Sequence, residues 1–356
     1  MSETLKNNVR TNKRIAVVLF NLGGPDSLES VKPFLFNLFN DKFIIRLPKF
    51  LRCFLAWIIS TVREKKAQKI YAQMGGKSTI LPETEKQALE LKKYLSDIIA
   101  DEFEIFICMR HWHPMSDEVI KKIESYSPSE IILLPLYPQY STTTTGSSIE
   151  DFVTKKDAST LKNAKLKTIC CYPIDDYFIK AHSKLLTDKL NSEKKYRILF
   201  SAHGLPKKII DEGDPYQWQV ERTAYAIIKE IGGYELDYRI TYQSRVGPLE
   251  WIGPCTEKEI TAAAKDKINL IVMPIAFVSE HSETLVELDI EYKAIADKYS
   301  IDYVRLPTLS IDSLFIKSLG ETVIRALEQE NEFLASSELR KICPDNRAKC
   351  PCKLNK

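Results

Sequence analysis

Two segments of the chain carry residue types suited to holding a divalent cation and moving protons. In S-A-H-G-L-P at 201–206, His203 follows an apolar run, which predicts a position at the carboxyl end of a strand, where doubly wound sheets keep their working residues. Taken alone, such a histidine is more often satisfied by a backbone carbonyl than by a ligand. In S-E-H-S-E-T-L-V-E-L-D-I-E-Y at 279–292, Glu280, Glu283, Glu287 and Glu291 recur at steps of three and four, so an α-helix would align them on one face. Carboxylates at that spacing repel by about a few tenths of a kcal/mol per pair when exposed, and more when partly buried. A cation must offset them, and Lys293 is the only base close to the row within that helix. Such a face is either solvated or a row of hard oxygen ligands that passes a divalent cation along the helix.

His203 and Glu283 are both expected at the carboxyl ends of strands in one half of the molecule, facing each other across a crevice. Borderline Fe(II) accepts imidazole nitrogen and carboxylate oxygen alike, as cobalt and zinc do. A neutral imidazole accepts a proton near neutral pH, and a carboxylate withheld from water, with its pKa raised, shares that work. The pair suits a reaction in which a metal enters while protons leave.

A third constellation is the tail C-P-D-N-R-A-K-C-P-C at 343–352, which holds Cys343, Cys350 and Cys352. One more thiolate, from Cys171 or its neighbour Cys170 at the end of a strand, would complete a four-sulfur site. Spacing does not separate zinc from iron–sulfur ligation, or either from an unligated tail. With eight cysteines scattered through 356 residues, a disulfide framework is not expected.

The elements that must position these residues read as short apolar runs separated by helical patterns, the signature of parallel sheets with crossover helices. The runs lie at 15–20, 103–109, 131–137 and 166–172, then at 197–202, 236–242, 268–275 and 301–306. The second run of each set leads to an arginine, Arg110 or Arg245, and the third contains proline. The expected fold class is therefore α/β, with two similar Rossmann-like, doubly wound halves on parallel four-stranded sheets. The expected division is 1–175 for a first half, 176–310 for a second half with His203 and the acidic helix, and 311–356 for a long helix over 314–333 and the cysteine tail, packing back on the first half.

A formal charge of +3, from 51 basic and 48 acidic residues, gives no field that favours nucleic acid, and none is expected as a partner. The opening M-S-E-T-L-K-N-N-V-R-T-N-K-R lacks the apolar stretch of a secretory signal and the character of a transit peptide, so the expected location is cytoplasmic. No apolar run approaches the roughly 18 residues needed to span a bilayer. Between 42 and 63, however, Phe43, Phe50, Phe54 and Trp57 are interleaved with Lys42, Arg46, Lys49 and Arg52. That mixture fits a lipid interface or pocket mouth, and equally a helix packed on its own core.

These segments, with others in order, resemble ferrochelatase along nearly the whole chain. The further matches are N-L-G-G-P-D at 21–26, Y-A-Q-M-G-G-K-S at 71–78, R-H-W-H-P at 110–114, Y-P-Q-Y-S at 137–141, T-T-G-S-S at 144–148, G-D-P-Y at 213–216 and Q-S-R-V-G-P at 243–248. The resemblance implies a lyase that inserts Fe(II) into protoporphyrin IX at the end of heme biosynthesis, with loss of two pyrrole protons. It implies that His203 and Glu283 are the metal-binding and proton-handling pair, that Glu287 and Glu291 continue the acidic track, and that Leu22, Tyr71, Ser78, Arg110 and His111 line the opposite wall. Leu22 and His111 stand where some relatives have methionine and tyrosine. The 42–63 segment corresponds to the family's lip, which implies peripheral contact with the inner membrane surface. The tail spacing is similar to the [2Fe–2S] site of a subset of bacterial ferrochelatases, with Cys171, Cys343, Cys350 and Cys352 as ligands. In vertebrate members the interior cysteine corresponds to Thr142. Coproporphyrin as substrate, and a porphyrin or iron carrier without turnover, are the alternatives; the apolar lip favours the less charged protoporphyrin.

Overall fold

The computed structural model describes residues 13–190 and 194–352. The opening residues 1–12, on which the expectation of no signal or transit peptide rests, lie outside them. The first half runs β1 (Arg14–Asn21), α1 (Val31–Phe39), α2 (Lys49–Ala72), α3 (Ile80–Ser96), β2 (Glu102–Met109), α4 (Ser116–Tyr126), β3 (Glu130–Pro135), α5 (Ser147–Asp157) and β4 (Lys165–Ile169). The second runs α6 (Asp176–Thr187), β5 (Tyr196–His203), α7 (Lys207–Asp211), α8 (Tyr216–Glu230), β6 (Tyr238–Gln243), α9 (Thr256–Lys265) and β7 (Asn269–Pro274), then a π-helix at Glu283–Tyr292, α10 (Lys293–Asp297) and β8 (Tyr303–Arg305). The chain closes with α11 (Ser313–Leu327) and β9 (Phe333–Ala335).

The strands form two sheets in the orders β2-β1-β3-β4-β9 and β6-β5-β7-β8, and every pairing is parallel. Apart from β9 the two orders match strand for strand, as the two sets of apolar runs predict. In both, the order reverses beside the first strand of the half, between β1 and β3 and between β5 and β7, and the crevice at such a switch point is where open α/β sheets bind ligands. β3 is buried along its full length, as a strand covered on both faces must be.

The first sheet differs from expectation. It has five strands, because β9 adds to β4 through Lys167↔Phe333, Thr168↔Leu334 and Ile169↔Ala335. The last helix accordingly stops at Leu327 and does not run on to Phe333. Pairing with an open strand edge satisfies the backbone of 333–335 better than a frayed helix end would. α11 does pack back on the first half: a Cβ on Gly320 would lie 2.3 Å from the Tyr94 ring of α3, so only glycine allows the two helices this close. One apolar core runs through both halves, joining Ile15, Val17 and Ile132 to Ile198, Phe200 and Ile271. The ends of β1 and β5 are thereby fixed relative to each other.

Candidate active site in the crevice between the halves

His203 is the last residue of β5, and β7 leads through a short loop into Glu283. His203 Nδ1 lies 3.0 Å from Glu283 Oε2, with side-chain exposures of 35% and 26%. Burial depresses the imidazole's pKa, but the charge and hydrogen bond of Glu283, with the charge of Glu287, outweigh it and leave His203 above its ordinary value. On Glu283 burial acts upward, and the His203 charge and hydrogen bond with the His281 charge overcome it, bringing the carboxyl down to about 2. This corrects the expectation of a carboxylate raised by burial. The 3.0 Å contact holds one proton between Nδ1 and Oε2, and a metal that takes both atoms must displace it. His281 Nε2 lies 3.7 Å from the same Glu283 Oε2, with its own pKa lowered chiefly by burial.

The segment is wound as a π-helix and not as the expected α-helix, and its wider turn still keeps Glu283, Glu287 and Glu291, four residues apart, along one side. Glu280 precedes the helix and is bound to Arg305, whose Nη1 lies 2.5 Å from its Oε1. Glu287 is filled on every side: Oε1 accepts from Ser244 N and Tyr292 Oη at 2.8 Å each, and Oε2 accepts from Gln243 Nε2 at 2.9 Å and Ser244 Oγ at 2.5 Å. Four donors match the four lone-pair sites of a carboxylate, so in this arrangement Glu287 has none left for a cation. Its pKa is nonetheless raised, first by burial and then by the Glu283 charge. Glu291 is exposed. Lys293 pairs with Asp297 at 2.9 Å and so does not offset the row, and Glu280 takes its cation, Arg305, from a different element.

The first half meets this pair directly. Tyr71, near the end of α2, is buried, with Ser282 as a hydrogen-bond partner and Glu283 as a charged neighbour; burial pushes its pKa up to about 12. Thr79 Oγ1 donates to the Glu280 carbonyl at 2.5 Å, and the adjacent Ser78 is tied to Pro25 O through its own N–H at 2.7 Å. Leu22, Arg110 and His111 come together because the Arg110 and His111 amides donate to Asn21 O and Leu22 O at 2.9 Å. The Arg110 guanidinium turns to Ser147 Oγ at 2.7 Å and Asp41 Oδ2 at 3.1 Å. His111 is buried with neither ring nitrogen hydrogen-bonded, and burial pulls its pKa down to about 3.

Four residues around the G-D-P-Y motif join this site to its surroundings. Glu212 pairs with Arg46 of the 42–63 segment. Gly213 O accepts from Lys349 N at 3.0 Å, and a Cβ on Gly213, whose φ is +98°, would meet Ala348 N at 3.0 Å, so the tail sits on this glycine. Asp214 accepts from Thr142 N, Thr142 Oγ1 and Ser141 Oγ of the first half at 2.7–3.1 Å. Tyr216 donates to the His203 carbonyl at 3.0 Å. The motif was visible in the sequence, but these roles lie in long-range contacts.

The cysteines also gather. Gln219 Nε2 faces Cys171 Sγ at 3.4 Å and Cys343 Sγ at 3.1 Å, while its Oε1 accepts from Tyr140 N at 2.7 Å. Cys343 is hydrogen-bonded to Cys350, which lowers the Cys350 thiol to about 7. Cys350 and Cys352 are both close enough to raise the pKa of Cys170. Among the described residues, no three His, Cys, Asp or Glu side chains converge to hold a single metal ion.

In the 42–63 segment the structure favours the open reading over the packed one. Phe50, Phe54 and Trp57 are 72%, 62% and 54% exposed, and along α2 only Ala56, Ser60 and Tyr71 are buried. No described helix is long and apolar enough to cross a membrane.

The charge balance at Glu283 predicts that His203→Ala leaves burial to dominate, and the Glu283 carboxyl should rise from about 2 to above 4.5. Carbon NMR titration of labelled glutamate would show it; an unmoved value would mean that His203 does not set the charge of Glu283.

The family model for ferrochelatase matches residues 14–327. The chain is 58% identical to the ferrochelatase of Rickettsia bellii over 96% of this chain and 95% of that one. It is 56% identical to the ferrochelatase of Rickettsia felis, over 96% and 99%, and 50% identical to that of Pelagibacter ubique, over 95% and 98%. Among solved structures, SirB from Bacillus subtilis with Fe3+ superposes with a TM-score of 0.52 at 12% identity, covering 89% of this chain and 96% of that one, a likeness of fold alone. The chain belongs to the ferrochelatase family.

Proposed function

We propose that this ferrochelatase inserts Fe(II) into protoporphyrin IX in the crevice where β5, the π-helix and α2 meet, releasing two pyrrole protons as the terminal step of heme biosynthesis. The observation that carries the reading is the 3.0 Å His203–Glu283 pair, which faces Tyr71 of the other half. In this reading the second half supplies the metal side, and Leu22, Tyr71, Ser78, Arg110 and His111 of the first half supply the porphyrin wall. Fe(II) displaces the proton shared by His203 and Glu283, and the freed groups accept protons from the pyrrole nitrogens as metal–nitrogen bonds form.

Glu287 and the exposed Glu291 then serve as a way out for protons. A carboxyl held above its ordinary pKa beside one held below it accepts a proton readily, and the Ser244 and Tyr292 hydroxyls can turn from donor to acceptor when it does. Arg63, on α2 about 12 Å along the helix from Tyr71, lies over the Phe39 ring at 5.5 Å and has no carboxylate partner among the described residues. It suits one propionate of a dicarboxylate porphyrin, which favours protoporphyrin over the more highly charged coproporphyrin. Anaerobic multiple-turnover formation of metalloporphyrin should be abolished by His203→Ala and cut about 100-fold by Glu283→Gln. Stoichiometric porphyrin binding without turnover in the parent would favour a carrier.

The cysteine tail fits a [2Fe–2S] cluster held by Cys171, Cys343, Cys350 and Cys352. Such a cluster puts two cysteine sulfurs on each iron, so its ligands need not converge on one point. Cys343 and Cys350 stand close enough to hydrogen-bond each other, and the Gln219 amide, which faces Cys171 and Cys343, would become a donor to thiolate sulfur. Cys343, Cys350 and Cys352 of the tail and the interior Cys171 would hold the cluster, which would supply a redox-active group there. Anaerobically purified protein should carry about two irons and two acid-labile sulfides beyond any substrate metal, and lose both in Cys343→Ser. Zinc without sulfide would overturn this assignment.

The protein is further proposed to work in the cytoplasm, with the exposed Phe50, Phe54 and Trp57 touching the inner membrane surface as porphyrin enters. A Phe50→Ser, Phe54→Ser variant should lose co-sedimentation with anionic phospholipid vesicles; unchanged co-sedimentation would remove the membrane role.

A further inference from the structure

Ten consecutive residues, Glu283–Tyr292, run as a π-helix. Proteins otherwise use this form mostly as single turns, because its i→i+5 hydrogen bonds compete poorly with the α register. Glutamate and leucine are good α-helix formers, so the sequence of the segment does not itself ask for the π form. Contacts from outside and across the segment have to impose it.

Three such contacts are present. Tyr292 donates to Glu287 Oε1 at 2.8 Å, joining two side chains five residues apart, which the π register brings one above the other. Tyr303 of β8 donates its hydroxyl to the Leu288 carbonyl at 2.9 Å. Arg305, two residues further along the same strand, reaches to both sides of Glu283. Its Nε lies 2.7 Å from Asp289 Oδ1 and its Nη2 meets Asp289 Oδ2, while Nη1 lies 2.5 Å from Glu280 Oε1.

Each π turn takes up more residues than an α turn, so a change to the α register would move Asp289 relative to Glu280. One planar guanidinium cannot follow both carboxylates through that change. Glu280 is itself anchored, since its Oε1 accepts from Thr308 N at 2.9 Å and its carbonyl accepts from Thr79 Oγ1 of the first half at 2.5 Å. Arg305 is 12% exposed and touches neither His203 nor Glu283. Whatever it does for the chemistry, it does through the helix.

We infer that Arg305 is a positioning residue for metal insertion, and that its grip on Glu280 and Asp289 holds the π register that keeps Glu283 against His203. The inference rests on the reading of His203 and Glu283 as the metal-side pair. It separates two properties of the side chain: a lysine at this position keeps the positive charge but loses the fork that addresses two carboxylates at once.

The test compares Arg305→Gln, Arg305→Lys and Asp289→Asn with Glu283→Gln and His203→Ala. Fe(II) and protoporphyrin IX are varied independently in steady-state assays, and porphyrin affinity is measured by fluorescence quenching. Arg305→Gln and Arg305→Lys should both lose about tenfold to 100-fold in kcat/KM for Fe(II), the size expected when a reacting group is misplaced by about an ångström. Their porphyrin Kd should stay within about twofold of the parent, since the porphyrin wall is untouched. Asp289→Asn, which alters the more exposed end of the grip, should show a smaller loss with the same split, and it carries the test if the arginine variants do not fold.

Full rescue by lysine would show that charge alone suffices and overturn the inference. So would equal losses for iron and porphyrin, or a lowered Tm with unchanged kinetics in all three variants. If Glu283→Gln and His203→Ala keep parental turnover, the reading of the pair has failed instead, and that outcome is distinct from a failure confined to Arg305.

Discussion

A carboxylate withdrawn from water has to find a cation or a full set of donors, and the second half of this ferrochelatase is arranged around that requirement. Glu283 meets it with His203, Glu287 with four hydrogen-bond donors, and Glu280 with Arg305. The three solutions differ in what they leave free. The donors around Glu287 fill its lone pairs, and Arg305 is committed to two acids. Only the His203–Glu283 pair can give up a proton and accept a metal in its place without opening a buried charge elsewhere. Exchange of a proton for a metal is thereby centred on Glu283, which also has Tyr71 of the first half as a neighbour.

The same economy of contacts ties distant parts of the chain to that point. Within five residues, Glu212, Gly213, Asp214 and Tyr216 reach the 42–63 segment, the cysteine tail, the first half and the His203 carbonyl. Gln219, one turn further along α8, faces two of the cysteines. The tail is too short to form a core of its own, and it is held by a glycine whose φ of +98° and lack of a side chain let residue 348 approach. The lip, the tail and the working histidine therefore meet at one short loop, so a displacement of any of them is felt by the others.

Much of this was legible in the amino-acid sequence. Fully buried parallel strands read as unbroken apolar runs, so eight of the nine strands among the described residues and their two matching sets could be found, and with them the switch points that place His203. β9 escaped because it is three residues long and follows helical spacing without a break. The pairing of His203 with Glu283 could be anticipated from residue types and strand ends. The π register could not, since glutamates four residues apart read as one face of an α-helix. Arg305 was invisible for a related reason: spacing reports neighbours along one element, and the cation that meets Glu280 and Asp289 arrives from β8. The direction of the Glu283 shift is not legible either, because burial alone would raise it and the partner that reverses the sign sits 80 residues away in the chain.

The central claim is that a divalent metal enters by taking the place of the proton held between His203 and Glu283. Calorimetric titration of the porphyrin-free protein with Co(II) near pH 6.5, repeated in buffers of different ionisation enthalpy, measures the protons released per metal bound. The account predicts about one proton released by the parent and none at this site in His203→Ala. Binding with no proton release in the parent, or the same release from His203→Ala, would contradict it.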